Sequence, residues 1–258
     1  MTQRIHPTAV IDPTAQLGTD IEIGPFAIIG PDVTIGDGCR IAARATLERN
    51  VRLASRVFVG SGALLGGPPQ DLKYANEETW VEIGEGTQIR EYTTINRGTS
   101  ATGRTTVGRD CFIMTYVHLA HDCHVGDGVI MANGTQLAGH VTIEDYVVVS
   151  GLVAVHQFAR IGEYAFIGGM TRVSQDIPPF VKAVGNPVEL YGLNTIGLQR
   201  HHFPAATIAT LKRAYRLCFN SDLNLSQALE RVRSDLPPLP EVDRFLEFVS
   251  SSQRGVPA

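Results

Sequence analysis

The chain is 258 residues long, 43% hydrophobic and 19% charged, with 26 glycines and 14 prolines, a globular composition that excludes disordered and collagen-like chains. No apolar run approaches the roughly 18 to 20 residues that span a bilayer, and the start of the chain holds no apolar signal core, so a cytoplasmic protein is expected. Twenty-two basic against 26 acidic residues give a net charge of −4, without the basic field of nucleic-acid binders, and four cysteines without CxxC spacing suggest neither a disulfide framework nor a zinc knuckle.

From Ile5 onward the chain has a period of six. Of the 29 positions reached by stepping from residue 5 to residue 173, 26 are Ile, Leu, Val or Met, and Asp71, Glu77 and Ala101 are the exceptions. Two residues before each aliphatic stands a small or β-branched residue, as at Ala9, Ala27, Val33, Ala45, Val117, Val129 and Val141, and 11 of the 26 glycines directly follow one of the aliphatics. This is the pattern of a short strand with one face inward and a corner that tolerates glycine. Three such sides close one coil, and about ten coils stacked at ~4.8 Å make a parallel β-helix roughly 45 to 50 Å long.

Two stretches keep the phase and lose the pattern, 66–80 and 97–106, and are expected to be loops thrown out from residues 1–187, the β-helix. Beyond Gly185-Asn186-Pro187 the period turns helical, so residues 188–258 form a small α-helical domain. Pro204 suits a first helical turn, Asn224-Leu225-Ser226-Gln227 has the form of a capping box, and Pro240 opens a last helix. A three-sided prism with flat outer faces is expected to oligomerise, and three-fold symmetry suits it.

Five of the eight histidines, His118, His121, His124, His140 and His156, crowd into one part of the chain, all outside the inward positions. Residues three hexads apart share a column, so His121, Gly139 and Gln157 stack beside Asp122 and His140. A titratable base, a carboxylate beside it and a glycine N–H one coil away are what acyl transfer to a hydroxyl requires. Cys39, Cys111 and Cys123 occupy small inward positions and read as packing residues, and Cys218 as helix core.

The segments His118-Leu-Ala-His121-Asp122-Cys123, Leu137-Ala-Gly-His140-Val141, Val155-His156-Gln157-Phe158, Gln70-Asp71-Leu72-Lys73-Tyr74 and Gly185-Asn186-Pro187 together resemble the UDP-N-acetylglucosamine O-acyltransferases, which carry out the first acylation of lipid A biosynthesis. The resemblance implies a mainly β, left-handed parallel β-helix of hexapeptide repeats, assembled as a homotrimer. It implies transfer of a (3R)-3-hydroxyacyl chain from acyl carrier protein to the 3-position of the UDP-sugar. No cofactor and no metal are called for, since the carrier thioester is itself a substrate. His121 is then the general base, Asp122 its partner and the Gly139 N–H the oxyanion donor. Gln70, Asp71, Lys73, Asn96, His118, His140, His156, Gln157 and Arg200 hold sugar, phosphates or acyl chain. Asn194 lies near the nucleotide end, and Gly169 matches a position that limits chain length, where a glycine leaves room for a longer chain.

Two departures stand out. Ile95-Asn96-Arg97-Gly98-Thr99 has an amide where the family carries histidine, a replacement associated with acylation of a 3-amino sugar nucleotide to form an amide. Arg200-His201-His202 replaces paired arginines, and Ile196 stands where the family has an acid. The acid-free, basic stretch from Leu190 to Ser221, with Arg200, Lys212, Arg213 and Arg216, suits an acidic carrier protein or a diphosphate. One rival is a metal-dependent β-helix enzyme resembling γ-type carbonic anhydrase, with His121 and His140 as ligands, although a catalytic zinc needs three converging ligands. Another is the sister N-acyltransferase of the pathway, which places a uridine-binding domain ahead of its helix, whereas hexads here begin at Ile5. A purely structural scaffold would leave the outward histidines unexplained.

Overall fold

A computed structural model describes residues 3–257; residues 1, 2 and 258, at the outer ends of the two expected domains, lie outside the described residues. Most hexads give a strand of only two residues whose second member is the aliphatic, as in Glu22–Ile23, Ile28–Ile29 and Thr34–Ile35. The aliphatic and the small residue two before it are both buried, as at Ala27 and Ile29 or Val117 and Leu119, because an extended chain returns to the same face every second residue.

Strands three hexads apart pair in parallel and in register: Ile5 with Ile23, Ile11 with Ile29, Leu17 with Ile35. Among the described residues this gives three sheets of 11, 9 and 8 strands, here called the first, second and third faces in the order the chain meets them. Every pairing is parallel except the last on the first face, where Val181–Val184 meets Glu189–Leu193 antiparallel. The β-helix expected from the hexads is the fold of this chain.

The two excursions preserve the phase for a simple reason. An uninterrupted coil would pair Leu65 with Ile83 and Ile95 with Ile113, but Leu65 pairs with Ile95, and Ile95 with Leu119. The first excursion therefore inserts two whole hexads and the second inserts one. The strands reach further into both than the lost pattern suggests. Trp80–Ile83 and Arg104–Val107 pair with each other residue for residue, so Trp80 and residues 104–106 belong to the third face. Alternating burial of Val81, Ile83, Thr105 and Val107 is the reason: the inward positions are filled, although threonine replaces the small apolar residue.

The thin aliphatic core runs the length of the prism. It is partly exposed at the first coil, at Ile5, Ile11 and Leu17, and is closed at the other end by Ile177, Phe180 and the helical tail. Among the described residues that tail has four helices: α1 (Thr195–Arg200), α2 (Ala205–Phe219), α3 (Leu225–Asp235) and α4 (Pro240–Ser250). The expected starts are found in α2 to α4: the Pro204 carbonyl accepts from Ile208 N, Asn224 and Gln227 make a reciprocal capping box, and Pro240 is the first residue of α4. The short α1 has no periodic signal, and Asn194 caps it by accepting from Gly197 N at 3.2 Å. The chain then returns to the last coil, where Gly255 O accepts from Asp176 N at 2.9 Å. Among the described residues no helix is long and apolar enough to cross a membrane.

Candidate active site

The site is built on the corner between the second and third faces, where three successive coils place Ala120–Cys123, Ala138–Val141 and His156–Ala159 above one another. The stacking is read directly from coil-to-coil bonds, His140 N to His121 O at 3.0 Å and Phe158 N to Gly139 O at 3.2 Å. His121 therefore lies one coil before Gly139, and Asp122 one coil before His140. The His140 ring meets His121 edge-on, with centroids 5.1 Å apart, and stacks on Phe158 at 4.5 Å.

Asp122 occupies the turn position with positive φ (60°), which aspartate tolerates better than most residues. Its side chain is fully buried and its carboxylate is surrounded by donors. Oδ1 accepts from Thr99 N at 3.0 Å and from the Thr102 hydroxyl, and Oδ2 accepts from the Thr99 hydroxyl at 2.7 Å and from His121 Nδ1 at 2.8 Å. Its own N–H donates to the Thr105 hydroxyl at 2.9 Å. Burial pushes the carboxyl pKa up, but hydrogen bonds from Thr102, His121 and Thr99 outweigh it and hold the group at about 2.

An ionised carboxylate only accepts, so Nδ1 of His121 carries the proton and the neutral imidazole presents its lone pair at Nε2. The second excursion supplies Thr99 and Thr102, so this loop serves to fix the carboxylate that orients His121. His121, Asp122 and His140 bring their potential ligand atoms within 4.8 Å of one another. The Asp122 oxygens are nevertheless committed to four donors, which matches the lone-pair capacity of a carboxylate, so the arrangement fits a hydrogen-bonded relay and not a metal-ligand set.

Gly139 occupies the first turn position of its corner. At that same position in the corners between the third and first faces, the N–H binds a carboxylate from the next coil: Thr19 N to Asp37 Oδ1 at 2.6 Å, Arg109 N to Asp127 Oδ1 at 2.7 Å and Asp127 N to Asp145 Oδ1 at 2.8 Å. This corner therefore aims an N–H at an anionic oxygen. The residue one coil beyond Gly139 is Gln157, and among the described residues the Gly139 N–H has no hydrogen-bond partner. An open donor of this kind beside the free face of a histidine base suits a tetrahedral oxyanion.

The other expected residues fall into separate groups. His118 lies on the second face with Nδ1 2.7 Å from the Thr94 hydroxyl, and burial pushes its pKa below the usual histidine range. His156 and Gln157 are exposed at the corner, the His156 ring bonding the Gln157 carbonyl at 3.1 Å. Gln70, Asp71 and Lys73 lie on the first excursion, where Asp71 Oδ1 caps its own turn by accepting from Lys73 N at 2.9 Å. Asn96 is buried, with Nδ2 donating to Pro68 O at 2.9 Å at the base of that loop. Asn194 and Arg200 line a cavity of about 380 Å³ with Lys182, Phe166 and Ile196. Gly169 lies at a different corner, between the first and second faces, with nothing closer than 3.5 Å to a Cβ placed there.

Sequence reasoning missed Thr99, Thr102 and Phe158. The signal for Phe158 was accessible, since it stands one coil after His140 in the same column. The threonines lie where the second excursion has left the hexad frame.

A family profile described as UDP N-acetylglucosamine O-acyltransferase, domain 2, matches residues 176–257, and one described as bacterial transferase hexapeptide (six repeats) matches 14–49 and 104–139. A Burkholderia orbicola protein named acyl-[acyl-carrier-protein]–UDP-N-acetylglucosamine O-acyltransferase is 45% identical over 262 residues, with 98% of each chain covered. The chain belongs to the UDP-N-acetylglucosamine O-acyltransferase family. Solved structures agree along the whole length. A UDP-N-acetylglucosamine acyltransferase from Bacteroides fragilis superposes with a TM-score of 0.97 at 41% identity, covering 98% of this chain and 100% of that one. The LpxA structure from Acinetobacter baumannii gives 0.95 at 40%, covering 98% and 99%. The resemblance drawn from the motifs thus extends through the helical tail.

Proposed function

We propose that this chain transfers a (3R)-3-hydroxyacyl group from acyl carrier protein to the 3-hydroxyl of UDP-N-acetylglucosamine, the first acylation of lipid A biosynthesis, in the cytoplasm and as a homotrimer. The observation that carries the proposal is the pairing of His121, whose Nε2 is left as acceptor by Asp122, with the open Gly139 N–H beside it. His121 Nε2 takes the proton of the sugar hydroxyl as its oxygen attacks the thioester carbon. The Gly139 N–H meets the oxyanion of the tetrahedral intermediate, which collapses as the C–S bond breaks and the carrier thiolate leaves with the proton from His121. The thioester supplies the activated acyl group, so the chemistry needs neither cofactor nor metal.

In this reading Gln70, Asp71, Lys73, Asn96, His118, His140, His156, Gln157, Asn194 and Arg200 bind substrate and Gly169 bounds the acyl chain. These residues lie at two corners, on strands of the second face, on a loop and against α1. In the proposed trimer one protomer would complete the cleft of the next.

The deciding experiment is an acyl-transfer assay with a series of 3-hydroxyacyl carrier proteins, offering UDP-N-acetylglucosamine and its 3-amino analogue side by side. Ester formation on the hydroxyl sugar is expected. Preference for the amine would transfer the reading to amide formation, and no transfer to either would overturn it. Sedimentation of the same sample tests the trimer.

A further inference from the structure

Arg97 is 7% exposed, and among the described residues no carboxylate pairs directly with its guanidinium, although Asp32, Glu77 and Glu78 line the same cavity. Nη1 donates to Gly66 O at 2.6 Å and Nη2 to the Tyr74 hydroxyl at 3.1 Å, while Nε is buried with no partner among the described residues. Both acceptors are uncharged. A buried cation held directly by neutral acceptors is costly to keep, which draws attention to what those two bonds connect.

The two ends of the side chain belong to different parts of the site. The Arg97 backbone opens the second excursion, two positions before Thr99, whose N–H and hydroxyl hold Asp122. The Arg97 N–H itself donates to Gly67 O at 2.9 Å. The guanidinium crosses to the first excursion and grips its middle through Tyr74, whose hydroxyl passes the chain of bonds on by donating to Glu77 O at 3.0 Å. Tyr74 N in turn bonds Asp71 O at 3.0 Å, inside the turn that presents Asp71 and Lys73.

Little else holds that loop. Asn96 and Asn50 pin its two bases, at Pro68 O and Thr79 O, and a polar cavity of about 270 Å³ separates its inner side from the Arg49-Asn50 corner. Among the described residues only Pro69 and Thr79 of residues 68–79 are buried and Leu72 is fully exposed, so the loop is held largely by directional bonds, and the bond from Arg97 reaches its midpoint.

We infer that Arg97 is a positioning residue: it ties the loop bearing Asp71 and Lys73 to the excursion that fixes Asp122, so that those two side chains are presented to the sugar nucleotide. This rests on the acyl-transfer reading above. Arg97 touches neither reacting atom and acts through Tyr74.

The test is steady-state kinetics of the full-length protein with UDP-N-acetylglucosamine and 3-hydroxyacyl carrier protein, comparing wild type, Arg97→Met, Tyr74→Phe and the double variant. Arg97→Met is expected to raise KM for the sugar nucleotide about tenfold while kcat and the carrier KM stay within about twofold, since binding and not the base is disturbed. Tyr74→Phe, which loses only an oxygen and keeps the fold, should give a smaller rise in the same constant. The effects in the double variant should be less than additive, because both single variants remove the Arg97–Tyr74 bond, while each also removes one other, to Gly66 O or to Glu77 O. An unchanged sugar KM in both single variants, a loss confined to kcat, or additive effects would overturn the inference. If wild type itself transfers nothing, the function reading is at fault, and protease cleavage within residues 68–79 decides the coupling: faster cleavage of Arg97→Met sustains it, and an unchanged rate overturns it.

Discussion

The imidazole of His121 lies where a side chain on Gly139 would have to go: a Cβ placed there sits 2.6 Å from Cε1 and 2.7 Å from Nε2. The glycine is therefore needed to seat the proposed base as well as to leave its own N–H open. Gly139→Ala is expected to keep the fold, because Gly139 is not among the positive-φ glycines. It should push the ring off Asp122 and lower kcat/KM by roughly 10²-fold or more, approaching the 10²- to 10⁴-fold loss expected of His121→Ala. Thermal melts and kinetics on the same samples check this, and near-normal turnover in Gly139→Ala would place the base elsewhere.

Asp122 links the site to acid stability. Its folded pKa of about 2 lies below the ordinary aspartate value of 3.8, so its ionised form favours the folded state. That contribution is complete above about pH 4 and is lost as pH falls through 2, and it amounts to about 2 kcal/mol at neutral pH. Asp122→Asn should be less stable than wild type at pH 7, with the gap closing between pH 4 and pH 2 in urea titrations. It should also lose activity, since an amide NH₂ can face Nδ1 and leave the wrong nitrogen protonated. A stability gap independent of pH would mean that the carboxylate's charge is not what the threonines hold.

How much of this was legible in the sequence follows from what period six encodes. Wherever the chain obeys the hexad, position in the coil is position in space, so the column of His121 and Gly139 and that of Asp122 and His140 could be drawn from residue numbers alone. Thr99 and Thr102 obey no period: the loop inserts one whole hexad, which hides its shape behind an unbroken phase, and only the folded chain brings them to Asp122. The short α1 was invisible because so brief a helix holds fewer than two turns of pattern. Asn96 shows the reverse limit. Its departure from the family pattern was plain, but its bond to Pro68 O, at the base of the first excursion, follows from the enlarged coil and could not be read locally.

The cysteines give a prediction independent of the active site. Cys39, Cys111 and Cys123 are buried at inward positions, and burial pushes their thiols up, to about 11 for Cys111 and about 12 for Cys123. Thiolate is the reactive form, so these three should resist a thiol reagent at pH 8 in the folded protein and react at once in denaturant. Cys218, on α2, is half-buried with its thiol also raised, to about 11, and should react slowly if at all. Rapid labelling of Cys123 without unfolding would mean that the coil at the active site opens.

The threonines that hold Asp122 can be separated from the carboxylate they hold. Thr102→Val removes one hydroxyl donor to Oδ1 and leaves the bond from His121 to Oδ2 in place. A hydrogen bond to a charged group contributes about 1.5 to 3 kcal/mol, so the variant should lose stability of that order at pH 7. Its Asp122 pKa should rise from about 2 toward 3.8, so the acid-induced loss begins at a higher pH than in wild type. Turnover should fall less than in Asp122→Asn, because the carboxylate still fixes the His121 tautomer. On an Asp122→Asn background the same substitution should cost less, since the charge that strengthened the bond is gone and only the hydroxyl's bonds to Arg104 remain to be lost. Acid titrations of the four proteins make the comparison, and an unshifted acid limb in Thr102→Val would show that this hydroxyl does not act on the carboxylate.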